Sequence, residues 1–166
     1  MASKAGKTKS LVIAEYFIKK SEQEKRSITN KKLQKLLYYA QAWSLVFNRK
    51  KIFDEPIEAW VHGPALPGIY SEFKIFGSGN ITINVDEQEF DSLSKEEKVV
   101  LDDVWKTYGI FDADYLEILT HSEDPWQKAR EGIASDESCS KEISTESMKV
   151  YYEGRLKEIK ESGKMA

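Results

Sequence analysis

Residues 30–47 read NKKLQKLLYYAQAWSLVF. Leu33, Leu36, Leu37, Ala40, Trp43, Ser44 and Phe47 recur at three- and four-residue spacing, which predicts an amphipathic helix with Thr29 or Asn30 as its cap. Asn48 and the basic run Arg49-Lys50-Lys51 close it, where cations suit the negative end of the helix dipole. Tyr39 and Trp43 lie four apart and extend the apolar stripe sideways. That stripe is either a broad core face or a core face flanked by aromatic interface anchors.

On the N-terminal side, Leu11, Val12, Tyr16 and Phe17 predict a helix over 9–20, and the polar SEQEKRS separates it from the next. On the C-terminal side the period changes. Ile57, Ala59 and Val61 alternate with Glu58, Trp60 and His62, which is a strand pattern, and His62-Gly63-Pro64 ends it in a stiff turn. A short helix follows, with Pro67 near its first turn and Gly77 at its end. A second period-two stretch, Ile81 to Val85, predicts the partner of a small antiparallel ribbon, marginal alone and so packed on the helices.

The second half is helical again. Ser94 and Glu97 form a capping box for a helix that ends at Gly109, and Asp112 caps the next. Asp124-Pro125-Trp126-Gln127 is a third start signal, with Asp124 as cap and Pro125 first in the helix. Ser144 or Thr145 opens the last helix, which carries Met148, Tyr152, Leu156 and Ile159. The expected fold is mainly α (α+β): one helix-rich domain over 9–160, of six to seven helices, with a small two-stranded antiparallel β ribbon. Residues 1–8 read as a mobile basic tail, since no apolar stretch of a secretory leader follows them.

The chain of 166 residues suits one core, and its 40% apolar and 32% charged residues exclude a disordered or membrane-spanning class. Lone Cys139 fits a reducing, cytoplasmic setting. The net charge of -3 conceals a gradient: +10 over residues 1–51, -13 over 52–125 and zero beyond. Either the two charged thirds neutralise each other after folding, or one of them steers a charged partner.

Function classes narrow quickly. No Gly-rich phosphate loop, nucleophile elbow, paired-histidine zinc motif or CxxC occurs. No catalytic residue, cofactor or metal is therefore assigned. A metal site or a hydrolase would need His62 and His121 in one cleft with a carboxylate. Cys139 as nucleophile has the acidic Asp136 and Glu137 working against a thiolate. A nucleic-acid accessory role would need the lysines of residues 1–51, among them Lys31, Lys32 and Lys35, to form one exposed stripe; the pI of about 5.6 opposes it. His62 itself either hydrogen-bonds the backbone at its corner or shows its ring to a ligand.

NKKLQKLLYYAQAW (30–43), FDEPIEAWVHGPALPGIYSEF (53–73), the helix from Leu93 to Gly109, and THSEDPW (120–126) occur in that order. Together they resemble the Panacea domain, the SocA-like and GepA-like phage-associated family, over roughly residues 9–153. Val61 departs from the polar residue many relatives place before His-Gly-Pro. The resemblance implies an antitoxin rather than an enzyme. Its partner would be a toxin, usually encoded by an adjacent gene, often in a prophage, and neutralised by direct protein contact. SocA-type members instead act as proteolytic adaptors that deliver a toxin to the ClpXP protease. The family motif falls here on sixteen positions, Leu36, Tyr38, Pro56, Ala59 and Tyr70 among them, and two sets of the others stand out. Trp43, Trp60, Gly63, Pro64, Pro125 and Trp126 suit structural duties. Lys35, Tyr39, Gln41, His62 and His121, polar or amphipathic, are the candidate partner-binding residues. If Thr120-His121 lies against the 60–64 corner, both histidines mark one site.

Overall fold

The computed structural model describes residues 7–163. Seven α-helices are present among them: α1 (Lys9–Glu24), α2 (Asn30–Phe47), α3 (Pro67–Glu72), α4 (Lys95–Tyr108), α5 (Ala113–His121), α6 (Asp124–Ala129) and α7 (Thr145–Glu161). Strands β1 (Glu58–Trp60) and β2 (Gly63–Ala65) pair antiparallel, and 3-10 turns occupy Lys74–Phe76 and Glu87–Ser92. The helix-rich domain with one two-stranded ribbon is thus present. No helix among the described residues is long and apolar enough to cross a membrane.

Helix α2 is the axle. It packs against α1, α4, α5, α7 and the hairpin. Leu33, Leu36, Leu37, Tyr39, Ala40 and Ala42 are fully enclosed. Because neighbours surround it, its polar positions are enclosed too: Asn30, Lys32, Gln34, Lys35, Gln41 and Ser44 are all buried. Buried polar groups need partners, and these find them mainly in the irregular backbone around the helix. Gln41 accepts from the Ile52 N–H and donates to the Phe53 carbonyl, both at 2.8 Å. Gln34 accepts from the Leu66 N–H at 2.8 Å, and Asn30 donates to the Tyr70 carbonyl at 3.0 Å.

Local signals set most boundaries. Thr8, Thr29, Asp112 and Ser144 cap α1, α2, α5 and α7, and Ser94 with Glu97 closes a capping box on α4. Helix α1 runs on through Glu24, beyond the expected end at residue 20. Its Ser, Glu and Gln extend the helix until Lys25 turns left-handed (φ 57°) and closes it. The expected tail at 1–8 lies outside the described residues as far as residue 6. Its last two residues serve the fold, Thr8 as the α1 cap and Lys7 in ion pairs with Glu15 and Glu89.

Two expectations are corrected. The partner of β1 is Gly63–Ala65, across the two-residue turn Val61-His62, and not Ile81–Val85. The other edge of β1 is also taken, since the Ala59 N–H donates to the Lys141 carbonyl (2.8 Å) and the Ile143 N–H to that of Ile57 (2.7 Å). No edge of β1 remains for residues 81–85; the Ile81 N–H donates instead to the Ile28 carbonyl (2.9 Å), with Ile81 buried and Ile83 and Val85 packed against the core. Ala59 directs its N–H away from Pro64, so the proline, which has no donor, sits at a pair that asks for none. The second correction concerns α6. Its cap position is Glu123, not Asp124, and Glu123 makes no capping bond because its carboxylate turns inward.

Candidate functional site

The His-Gly-Pro corner rests directly on α2. Gly63 adopts φ +106°, and a Cβ there would stand 2.5 Å from Lys35 Cε and 3.0 Å from Thr120 Oγ1. Only glycine lets the hairpin come this close. Beneath it the Lys35 amine donates to the Pro64 carbonyl at 3.1 Å. Burial pulls that amine down to about 7; the Glu117 carboxylate works against the shift and the Lys31 charge adds to it.

The corner is tied from the far side by α6. Trp126 Nε1 donates to the Trp60 carbonyl and Arg130 Nη1 to the Ala59 carbonyl, both at 2.8 Å. The Arg130 guanidinium also lies 5.0 Å from the Trp126 ring centre. Pro125 is buried in the first turn of α6. The Trp60 ring meets Tyr70 edge-on at 5.2 Å. Trp43, farther along α2, donates to the Tyr108 hydroxyl at 2.9 Å.

Thus fixed, the turn shows one side chain to water. His62 is 72% exposed, with Nδ1 3.0 Å from Glu117 Oε2 on α5. His121, one helical turn beyond Glu117, stacks on Trp126 with ring centres 3.9 Å apart, and its Nε2 lies 4.0 Å from the same carboxylate oxygen. Burial lowers the His121 imidazole below its ordinary value, against Glu117 and the Val61 backbone. Lys31 completes the group, pairing with Glu117 and with Asp114 at 3.0 Å. Lys31 and His62 hold the Glu117 carboxyl below its usual range even though burial pushes it the other way. Both histidines therefore share one carboxylate, as the proximity of Thr120-His121 to the corner required.

Beside this corner opens a groove of about 930 Å³ whose walls include Lys31, Trp60, His62, Tyr70, Asp114 and Cys139. Among the described residues neither imidazole has a hydroxyl or thiol hydrogen-bond partner, and no three His, Cys, Asp or Glu side chains are placed to hold one metal ion. The corner is arranged to present charge and hydrogen-bonding groups at a surface.

The five candidate partner-binding residues separate by depth. Lys35 (2% exposed), Tyr39 and Gln41 are interior, so the contact role expected of them has no exposed side chain to act through. Lys35 supports Pro64, Gln41 supports the 52–53 backbone, and Tyr39 donates to Glu123 at 2.8 Å. His62 is exposed and His121 half-buried. Nor do the α2 lysines form a basic stripe: Lys32 is buried, donating to the Gly109 carbonyl at 2.6 Å, and Lys31 is ion-paired. Two residues escaped the sequence reading, and a third, Glu123, was considered there only as a carboxylate beside the histidines. Glu117 was signalled by its four-residue spacing from His121, and Arg130 by the same spacing from Trp126. Glu123 accepts from Tyr39 and Tyr152 in the core, and nothing local announces that.

No curated protein and no solved structure matches the chain. Residues 33–127 match the family described as antitoxin SocA-like, Panacea domain. That span takes in α2 from Leu33 onward, the hairpin, α3, α4, α5 and the start of α6. It covers more than half of the 166 residues, and the chain belongs to the SocA-like antitoxin family with a Panacea domain.

Proposed function

We propose that this protein is a cytoplasmic antitoxin that neutralises a cognate toxin by direct protein–protein binding, the toxin being encoded by an adjacent gene. One observation carries the reading. The family-matched span lines much of a groove whose rim presents His62, with Lys35 beneath the corner as a support and Tyr39 and Gln41 bracing the interior. A stiff hairpin that holds an exposed side chain in a fixed place lowers the ordering cost of docking. A toxin seated over the groove would have its active surface covered, with no chemistry required of the antitoxin.

Co-expression with the adjacent open reading frame tests this. Growth should be rescued, and the two proteins should co-purify with the toxin intact. Absence of both rescue and co-purification overturns the reading. Rescue accompanied by ClpXP-dependent loss of the toxin would replace occlusion by adaptor-type delivery. His62→Asp, which sets a carboxylate against Glu117 at the groove rim, should weaken co-purification at least roughly tenfold. Its circular dichroism should remain that of the parent.

A further inference from the structure

Between Lys106 and Lys128 the chain has five carboxylates and no lysine or arginine. In the same stretch Ile110, Tyr115 and Ile118 leave large apolar side chains in water, Ile118 at 67% exposure. Tyr115 and Ile118 lie three apart on α5 and share its outer face. Phe111 and Leu119 pack partly against the core, and the Phe111 and Tyr115 rings lie 4.3 Å apart. Exposed side chains of this size, grouped rather than scattered, mark interaction surfaces.

The ionised side chains that this stretch itself contributes are carboxylates. Asp112 and Asp114 are exposed at the start of α5, where they also line the groove, so stripe and groove are continuous. Asp124 is exposed at the start of α6. Lys31 pairs with Asp114 and Glu117 of the stretch, and buried Lys32 reaches its Gly109 carbonyl. The Asp114 side chain is 86% exposed, and a pair at such a position exchanges partners at small cost.

We propose that the α5 stripe docks a basic amphipathic segment of the toxin, with apolar side chains against Tyr115 and Ile118 and lysines or arginines against Asp112, Asp114 and Asp124. The inference rests on the toxin-binding reading of this face and adds the chemistry of the partner. Charge selects among occupants. A second copy would set carboxylate against carboxylate, and nucleic acid or an anionic membrane would be repelled by the same groups. A helix with an apolar face and a basic flank satisfies both halves of the surface.

The test uses the full chain and a synthetic lysine/leucine amphipathic helix of about 18 residues. A glutamate/leucine peptide of identical apolar pattern is the control. Fluorescence anisotropy should show binding of the basic peptide alone, weakened at least roughly tenfold between about 0.05 and 0.5 M NaCl. Ile118→Ser should weaken it by a similar factor. Val150→Ser, at an exposed valine on α7, should leave it unchanged. Equal binding of both peptides, no binding, or a neutral Ile118→Ser overturns the proposal. So does a dimer in sedimentation that Ile118→Ser dissociates, which would assign the stripe to a second copy. The peptide stands in for the toxin, so failure here leaves growth rescue standing, and failed rescue leaves the peptide result standing.

Discussion

The Lys35 amine is enclosed beneath the hairpin with the Pro64 carbonyl as its hydrogen-bond partner. In the fold it loses its charge above about 7, while in the unfolded chain it keeps it up to its ordinary 10.5. Across that window the unfolded chain binds more protons, so the contribution of this residue to stability rises with pH. Relative to Lys35→Met, which keeps the stem and removes the titration, the parent should gain up to about 1.4 kcal/mol per pH unit. Urea unfolding at several pH values between 7 and 10.5 measures it. A difference that stays constant would mean that the amine titrates alike in both states. Gly63→Ala, two strained features in one substitution, should cost about 2 kcal/mol or more, because a left-handed backbone and a clash with Lys35 coincide. Its urea midpoint should fall with an unchanged slope. At this scale the sequence was legible at Gly63 and Pro64, whose backbone preferences are intrinsic. It was not legible at Lys35, Tyr39 or Gln41. Polar side chains default to the surface, and only the neighbours on every side of α2 reverse that.

Helix boundaries were written locally wherever a side chain bonds its own helix, as at Thr29, Ser94, Asp112 and Ser144. They were misread where a distant partner outcompeted the local use. Glu123 stands at the α6 cap position, yet its Oε1 accepts from Tyr39 on α2 at 2.8 Å and from Tyr152 on α7 at 2.7 Å. Burial raises the Glu123 carboxyl above its usual range while those hydroxyls oppose the rise. Tyr152 therefore joins α7 to α2 and α6 through one oxygen, with the Tyr38 hydroxyl 3.1 Å away. Tyr152→Phe keeps the ring and removes a donor from a buried carboxylate. It should cost about 1–3 kcal/mol, read as a lower melting temperature with α-helical content retained. In Glu123→Gln, where no buried charge waits for that donor, the same change should cost less. A double-mutant cycle gives the coupling. Residues 81–85 teach the same lesson for strands. Alternation predicts which side chains face inward, and Ile81, Ile83 and Val85 do, but a ladder also needs a free edge.

Across the whole molecule the charge gradient resolves largely into internal complementarity. Lys7 pairs with Glu89, Lys9 with Glu97, Lys20 with Asp102, and Lys31 with Asp114 and Glu117, each joining the basic first third to the acidic middle. Raising NaCl from about 0.05 to 0.5 M should therefore lower the melting temperature by a few degrees before any salting-out gain appears. An unchanged or rising value would show that these pairs contribute nothing net, which exposed pairs often do not. The acidic surplus remains on α5 and the start of α6, where Lys31 pairs with Asp114 and Glu117.

By itself the sequence determined the helical architecture, most of the caps, the stiff His-Gly-Pro turn and the family, because each rests on neighbours within a few residues or on motifs in fixed order. Tertiary structure alone decided which motif residues face water. It wrapped α2 on all sides, turned Lys35, Tyr39 and Gln41 into interior supports, and left His62, Tyr115 and Ile118 in water. Burial is a property of what packs around a residue, and on α2 and α5 those neighbours come from segments far away in the chain.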